Sequence, residues 1–343
     1  MKDTTIAVDI AKDVFEIAVS YQPGKVREYH RVSRSKFLSF FGNREPATVV
    51  MEACGSAHHW AREVQKLGHR AVLLPPHAVR PYVQRNKTDR ADAKGILEAK
   101  RNRDIKPVPV KSVAQNCVAA LHRMRSAWMD SRVARINMVR GVLRELGIFI
   151  PVGARHVVPT VLVLVQDAVS PLPDSLRESL YEACLEIREY ERRMRQVEKQ
   201  LEALAQQMPT VRRLRTIPGV GLLTSTALVA FVDDFQRFRS GRRFANFIGL
   251  TPREYSSGNV RRLGHISKQG DRYLRTLLSH GARSVLWRAK HMDSLDPLHA
   301  WGLKVYARRG HNKAVIAIAN KLARISWAVC KHGTEFQSYP QPA

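Results

Sequence analysis

The sequence predicts an α/β layer at the N-terminus and an all-α remainder. Residues 1–110 alternate short apolar runs with amphipathic stretches, the pattern of strands and helices layered on a sheet. Two long stretches in the middle repeat apolar residues every three or four positions. The last third joins apolar helical runs through glycine- and proline-bearing turns.

Taken in order, Thr4–Asp9 reads as a buried strand ending in an acid. Val14–Val19 and residues 26–32 read as the next two strands, a hairpin-type opening of a sheet. Ser35–Phe41 reads as a short helix, and Ala47–Glu52 as a second apolar strand ending in an acid. A helix over His58–Leu67 and a strand over His69–Leu74 follow. Val113–Leu146 carries Val118, Leu121, Met124, Trp128, Val133, Ile136, Val139 and Leu143 at helical spacing, with Gly147 and Pro151 to end it. After a connection bearing Pro and Gly comes Ser175–Met208. Its Leu180, Cys184, Ile187, Tyr190, Met194, Val197, Leu201 and Leu204 step in a heptad pattern. The two helices suit either a hairpin within one chain or a coiled-coil pairing with a second protomer.

Ile217–Gly221 (Ile-Pro-Gly-Val-Gly) before an apolar helix at Leu222–Val232 resembles the turn of a helix-hairpin-helix motif. There, glycines such as Gly219 and Gly221 let backbone N–H groups approach a phosphate. Phe235, Phe238, Phe244 and Phe247 lie among arginines and suit either base stacking or a core with a charged outer face. Residues 249–275 read largely as loop, punctuated by four glycines. Arg272–Ala289 and Ala314–Lys331 read as helices, and Gln337–Ala343 as a disordered tail. The implied domains are 1–110, 111–210 and 211–336, with 337–343 as the tail.

Charge narrows the function. The net charge is +27 and the pI about 10.6, which makes nucleic acid the leading partner and predicts salt-dependent binding. Residues 1–110 carry 20 Lys+Arg against 12 Asp+Glu, net +8; residues 111–210 carry 14 against 11, net +3. Residues 211–343 carry 23 against 7, net +16, which places the nucleic-acid surface in the C-terminal third. Cys54, Cys117, Cys184 and Cys330 form no CxxC pair, against a zinc ribbon and in favour of reduced thiols. No signal-peptide apolar region stands at the N-terminus, and the run Val157–Val165 is too short to span a bilayer. A cytoplasmic protein is the expectation.

Two groups of residues carry chemistry. Asp9 and Glu52 end buried strands, where sites collect in α/β sheets. Asp89 and Asp92 share one face of a helix start. Converging, the four acids suit Mg²⁺ or Mn²⁺. Taken singly, they suit a strand-end cap, a solvated acid, an N-cap and a first-turn acid. The other group is Ser256 and Ser257 before Gly258, followed by Arg261, Arg262, His265, Lys268, Arg272 and Arg275. A hydroxyl in so positive a field suits attack on a phosphodiester, or hydrogen bonding to a bound phosphate.

The order of these blocks resembles a known family. Val-Asp9-Ile-Ala-Lys, Met-Glu52-Ala-Cys-Gly and Lys-Thr-Asp89-Arg-Ala-Asp92-Ala precede Ile-Pro-Gly-Val-Gly. Then come Phe-Ile-Gly-Leu-Thr-Pro-Arg-Glu-Tyr-Ser-Ser-Gly and Ile-Ser-Lys-Gln-Gly-Asp-Arg-Tyr-Leu-Arg. Over nearly its full length the chain resembles the DEDD-type insertion-sequence transposases of the IS-one-ten family, also called bridge-RNA-guided recombinases, and most closely the IS-eleven-eleven branch. The resemblance implies an RNase H-like, RuvC-like N-terminal domain whose Asp9, Glu52, Asp89 and Asp92 hold Mg²⁺ (or Mn²⁺). It implies a C-terminal domain whose nucleophile is Ser257, rather than Ser256, and a phosphoserine link to DNA. It further implies a structured guide (bridge) RNA that pairs with donor and target double-stranded DNA, and a tetramer in which the acids of one protomer meet the serine of another. Arg261, Arg262, Lys268, Arg272 and Arg275 would hold nucleic-acid backbone. The competing expectation, which needs only the acids, is a metal-dependent nuclease or junction resolvase using water.

Overall fold

The computed structural model describes residues 4–23, 25–83, 88–232 and 234–338. The chain divides into two compact units, residues 1–114 and 115–343.

The first unit is a five-stranded mixed sheet covered by helices. Strands β1 (Thr5–Ile10), β2 (Val14–Ser20) and β3 (Glu28–Ser33) form an antiparallel meander. Helix α1 (Phe37–Gly42) leads to β4 (Thr48–Glu52), α2 (Ala57–Lys66) and β5 (Arg70–Leu74). Both β4 and β5 run parallel to β1, giving the order β3-β2-β1-β4-β5. The short α3 (Pro76–Val79) and then α4 (Asp89–Arg101) complete the unit. This mixed α/β arrangement is consistent with an RNase H-like domain.

Alternation along the strands sorts the side chains between two faces. Ile6 and Val8 of β1 and Val49 and Met51 of β4 pack with Phe15, Phe37, Phe41 and Trp60, beneath α1 and α2. Phe15 meets Phe37 edge-on at 4.5 Å, and Trp60 closes on both rings. Ala7 and Val50 point the other way, into a core with Ile96, Leu97 and Ala99 of α4. Asp9 is two residues beyond Ala7, and Glu52 two beyond Val50. The pleat therefore sends both acids to the α4 face.

The second unit is almost entirely helical. Helix α5 (Val113–Glu145) begins at the boundary of the units. It is followed by α6 (Val157–Gln166) and α7 (Asp174–Gln206). Helices α5 and α7 pack antiparallel within one chain. Arg125 pairs with Glu198 at 2.7 Å, Arg132 with Glu191 at 2.6 Å, and Arg135 with Glu186. Ile136, Val139 and Leu143 meet Leu180, Cys184 and Ile187 at one end of the pair, and Val118 meets Val197 and Leu201 at the other. The apolar run at 157–165 is thus helix α6, folded onto α7. Arg177 donates to the carbonyls of Leu164, Val165, Asp167 and Leu172, satisfying the end of α6. Among the described residues no helix is long and apolar enough to cross a membrane.

The remaining helices are α8 (Pro209–Arg215), α9 (Leu222–Val232), α10 (Gly241–Ile248), α11 (Arg272–Ala289), α12 (Pro297–Arg309) and α13 (His311–His332). They share one core built on Leu228, Phe244, Leu278, Leu286, Ile318 and Leu322. Phe235, Phe238 and Phe244 are buried in it as core, whereas Phe247 is exposed at its edge against Phe238. Arg237 covers its edge, lying over the rings of Phe238 and Phe247.

Two expectations are refined. Residues 249–275 are loop over much of their length, and within them β6 (Pro252–Glu254) and β7 (Leu263–Ile266) pair as an antiparallel hairpin. Apolar periodicity missed it because both strands are largely exposed and carry little alternation. In α5, Met124 and Val133 face solvent, and His122 is buried instead. Lys87 of the acid-bearing motif, and residues 339–343 of the tail, lie outside the described residues.

Candidate functional site

The acidic site is built by one strand end and one helix start. Asp9 sits at the C-terminal end of β1, on the face that α4 covers. Thr88 caps α4, its Oγ1 accepting from Ala91 N at 3.2 Å. The cap fixes the first turn, so Asp89 and Asp92 stand on one side of it, where the helix dipole favours negative charge. One carboxylate oxygen from each of Asp9, Asp89 and Asp92 lies within 4.8 Å of the others. Asp9 and Asp92 are half-buried and Asp89 is exposed. Glu52 lies outside this trio, at the end of the neighbouring strand β4. Burial, followed by the charge of Glu52 and a smaller push from Asp9, raises the Cys54 thiol above its ordinary pKa. Three hard oxygens at this separation fit a divalent ion with metal–oxygen distances of about 2.0–2.6 Å.

The serine site is the tip of the β6–β7 hairpin. Ser257 and Val260 exchange two backbone hydrogen bonds, 3.2 and 3.1 Å long, across a Gly258–Asn259 turn. Gly258 has φ +56°, the left-handed value that primed hairpin turns need at their first central position. The two serines are not equivalent. Ser256 Oγ donates to Glu254 Oε1 at 2.7 Å and accepts from Arg262 N at 3.2 Å, so it is spent on holding the strands together. Ser257 is exposed at the tip, and its hydroxyl engages none of the described residues. The hairpin base is locked by backbone contact. A Cβ on Gly249 would lie 2.0 Å from Gln269 O, and one on Gly270 would lie 1.9 Å from Phe247 O.

Comparison with known proteins decides the family. Residues 6–148 match the DEDD transposase family of IS110 elements, and residues 211–296 match the family described as Transposase IS116/IS110/IS902. The transposase for insertion sequence element IS1111A of Coxiella burnetii is 40% identical, over 96% of this chain and 90% of that protein. The transposase for IS1328 of Yersinia enterocolitica is 34% identical, over 97% of this chain and 98% of its own length. The chain belongs to the IS110/IS116 family of DEDD transposases. A pilin gene-inverting protein of Moraxella lacunata is 31% identical over 36% of the chain and 37% of its own length. Membership makes this transposase a DNA-recombining enzyme of a mobile element.

The basic residues of the transposase fall into two groups. Arg261, Arg262, Lys268 and Arg272 are exposed on the hairpin and the start of α11, and Arg261 reaches Glu254 at 3.5 Å. Arg275 is half-buried and donates to Ile248 O at 3.0 Å, closing the end of α10. Gly219 (φ +80°) packs backbone to backbone on Gly281 of α11, where an added Cβ would come within 2.6 Å of Gly281 O. That contact requires glycine without reference to a phosphate. Gly221 has open space around it and accepts from Ser225 N at the start of α9.

Proposed function

We propose that this transposase cleaves and exchanges DNA strands through a covalent serine intermediate. Ser257 attacks a phosphodiester. A bond forms from Oγ to phosphorus, the bond from phosphorus to the 3′-oxygen breaks, the serine proton passes to solvent, and the leaving 3′-oxygen takes a proton from solvent. The products are a 5′-phosphoserine and a strand with a free 3′-OH. A later attack by a 3′-OH reverses the step and rejoins DNA without ATP, because the phosphoester bond is conserved. The observation that carries the reading is the unequal state of the two serines: Ser256 is engaged on both sides, and Ser257 stands exposed at the turn.

Asp9, Asp89 and Asp92 would hold Mg²⁺ or Mn²⁺, with Glu52 added from the adjacent strand end. Such an ion offsets charge on phosphoryl and leaving oxygens. Arg261, Arg262, Lys268 and Arg272 would hold the phosphate backbone. Arg275 would act with them by fixing α10, and Gly219 and Gly221 by shaping the turn before α9. The family resemblance supports a structured guide RNA pairing with donor and target DNA. It also supports a tetramer whose composite sites join the acids of one protomer to the serine of another, with the long α5–α7 pair offering a surface for association.

The test is a protein–DNA adduct that survives denaturation. The transposase is incubated with supercoiled plasmid carrying its element, the transcribed flanking RNA and Mg²⁺. Wild type and Ser256→Ala should form the adduct and Ser257→Ala should not. An adduct that persists in Ser257→Ala removes the nucleophile assignment. Metal-dependent cleavage with no adduct in any variant would favour hydrolysis by water at the acids.

A further inference from the structure

A groove of about 870 Å³ runs between β7 and the helices α12 and α13, beneath the serine hairpin. Its floor is apolar and includes Trp301, Ile316 and Ala317. Its rim is cationic: Lys268, Lys313, Lys321 and Arg324 line it, and no acid does. Among the described residues, none of these four cations forms an ion pair within 4.0 Å, in a chain where many arginines do.

Two details show cations held toward the groove. Lys268 is the one non-glycine among the described residues with positive φ, at +54°, a conformation uncommon for lysine. Its N–H donates to Gly249 O at 3.1 Å, so the locked hairpin base imposes it. Lys321 is half-buried, its ammonium 4.2 Å from the Trp301 ring centroid. Burial, and then the nearby charge of Arg324, lowers its pKa. The acid that opposes this, Asp296, is engaged elsewhere, capping α12 at Leu298 N and His299 N and bonding His299 Nδ1. The first turn of α13, with Asn312 and Lys313, adds the positive end of a helix dipole.

An apolar floor under a ring of unpaired cations suits a sugar and base below and phosphates above. Duplex DNA is too wide for such a groove, whereas one unstacked nucleotide fits it. We propose that the groove takes an unpaired nucleotide of the DNA strand engaged by the Ser257 hairpin, with its phosphates on Lys321, Arg324 and Lys268. The proposal rests on the serine-hairpin reading for the identity of that strand. The groove would hold the strand at a fixed distance from the hydroxyl through the β7 backbone, which belongs both to the groove and to the hairpin.

The test uses fluorescence anisotropy on full-length Ser257→Ala protein, so that no chemistry intervenes. The probes are a single-stranded oligo-dT of about 20 nucleotides and an abasic strand with the same number of phosphates. The unaltered groove should favour oligo-dT over the abasic strand by about fivefold or more. Ala317→Trp, which fills the floor, should remove that preference and leave abasic binding unchanged. Equal binding of both probes, or a preference that survives in folded Ala317→Trp, overturns the proposal. If Ala317→Trp does not fold, the pair Lys321→Met and Arg324→Gln should weaken oligo-dT binding and reduce its salt slope by about 1–2. Unchanged affinity and slope overturn the proposal equally. Adduct formation by the Ser257 protein is scored separately, so either reading can fail while the other stands.

Discussion

At the scale of single residues, buried polar groups report what their neighbours demand. His122 is wholly buried between α5, α9 and α11, with Nδ1 2.9 Å from Tyr273 Oη and Nε2 3.0 Å from Thr226 Oγ1. The Thr226 hydroxyl donates to Leu222 O at 2.6 Å, so Nε2–H donates to Thr226 and Nδ1 accepts from Tyr273. Burial, with the Arg125 charge adding, lowers the His122 pKa from 6.5 to about 4. The native state therefore takes up the proton less readily than the unfolded chain. Stability from this residue is fully present above pH 6.5 and is lost as pH falls toward 4, by about 3 kcal/mol at most. Thermal melts from pH 7.5 to pH 4.5 should show the fall in wild type, and a markedly smaller one in His122→Asn. Equal pH dependence in both proteins would exclude His122 as its source. At the same scale, sequence pattern alone left Ser256 and Ser257 interchangeable. The difference between them lies in the partners Glu254 and Arg262, which only hairpin pairing brings to Ser256.

At the scale of elements, the hairpin depends more on its base than on its tip. Gly270 has φ +98° and no room for a Cβ beside Phe247 O, whereas Gly258 has φ +56° and open space. Gly258→Ala should cost only the left-handed penalty, about 1–2 kcal/mol. Gly270→Ala adds a backbone clash and should cost more than about 3 kcal/mol, or prevent folding of the second unit. Urea unfolding of the two variants measures the order, and a Gly270→Ala protein as stable as Gly258→Ala contradicts it. The helices were the most legible elements. The expected Leu222–Val232 and Arg272–Ala289 match the observed bounds, the first as a continuous apolar run and the second through apolar residues at helical spacing. The hairpin was hidden because exposed strands leave no alternation to read. In α5 the periodic count placed Met124 and Val133 on the seam, yet hydrogen bonds from two other helices draw His122 inward.

At the scale of the whole molecule, the acids and the serine occupy different compact units. A composite site between protomers makes a direct prediction. Asp92→Asn and Ser257→Ala should each be inactive in strand cleavage, and mixing the two before adding DNA should restore part of the wild-type adduct. A mixture as inactive as its components argues for sites completed within one protomer. The charge of +27, most of it in the C-terminal third, gives every copy a strong attraction for polyanions. The proposed assembly of such chains would gather on DNA or RNA rather than in free solution, so the mixing experiment belongs at low salt with the proposed guide RNA present.

The sequence by itself determined the family, the helical framework, the strand-end positions of Asp9 and Glu52 and the pairing of Asp89 with Asp92. The family rests on motifs that match its members in order, and the rest on spacing along one chain, which is what a sequence records. The tertiary structure alone decided that Asp9 meets Asp89 and Asp92 within 4.8 Å while Glu52 stands beside them on the next strand. It alone decided that Ser256 is a strut and Ser257 is exposed, and that four separated cations surround one groove. Convergence of this kind depends on strand order and on the angle at which a helix crosses a sheet. Many residues distant in sequence set those jointly, and no local pattern encodes them.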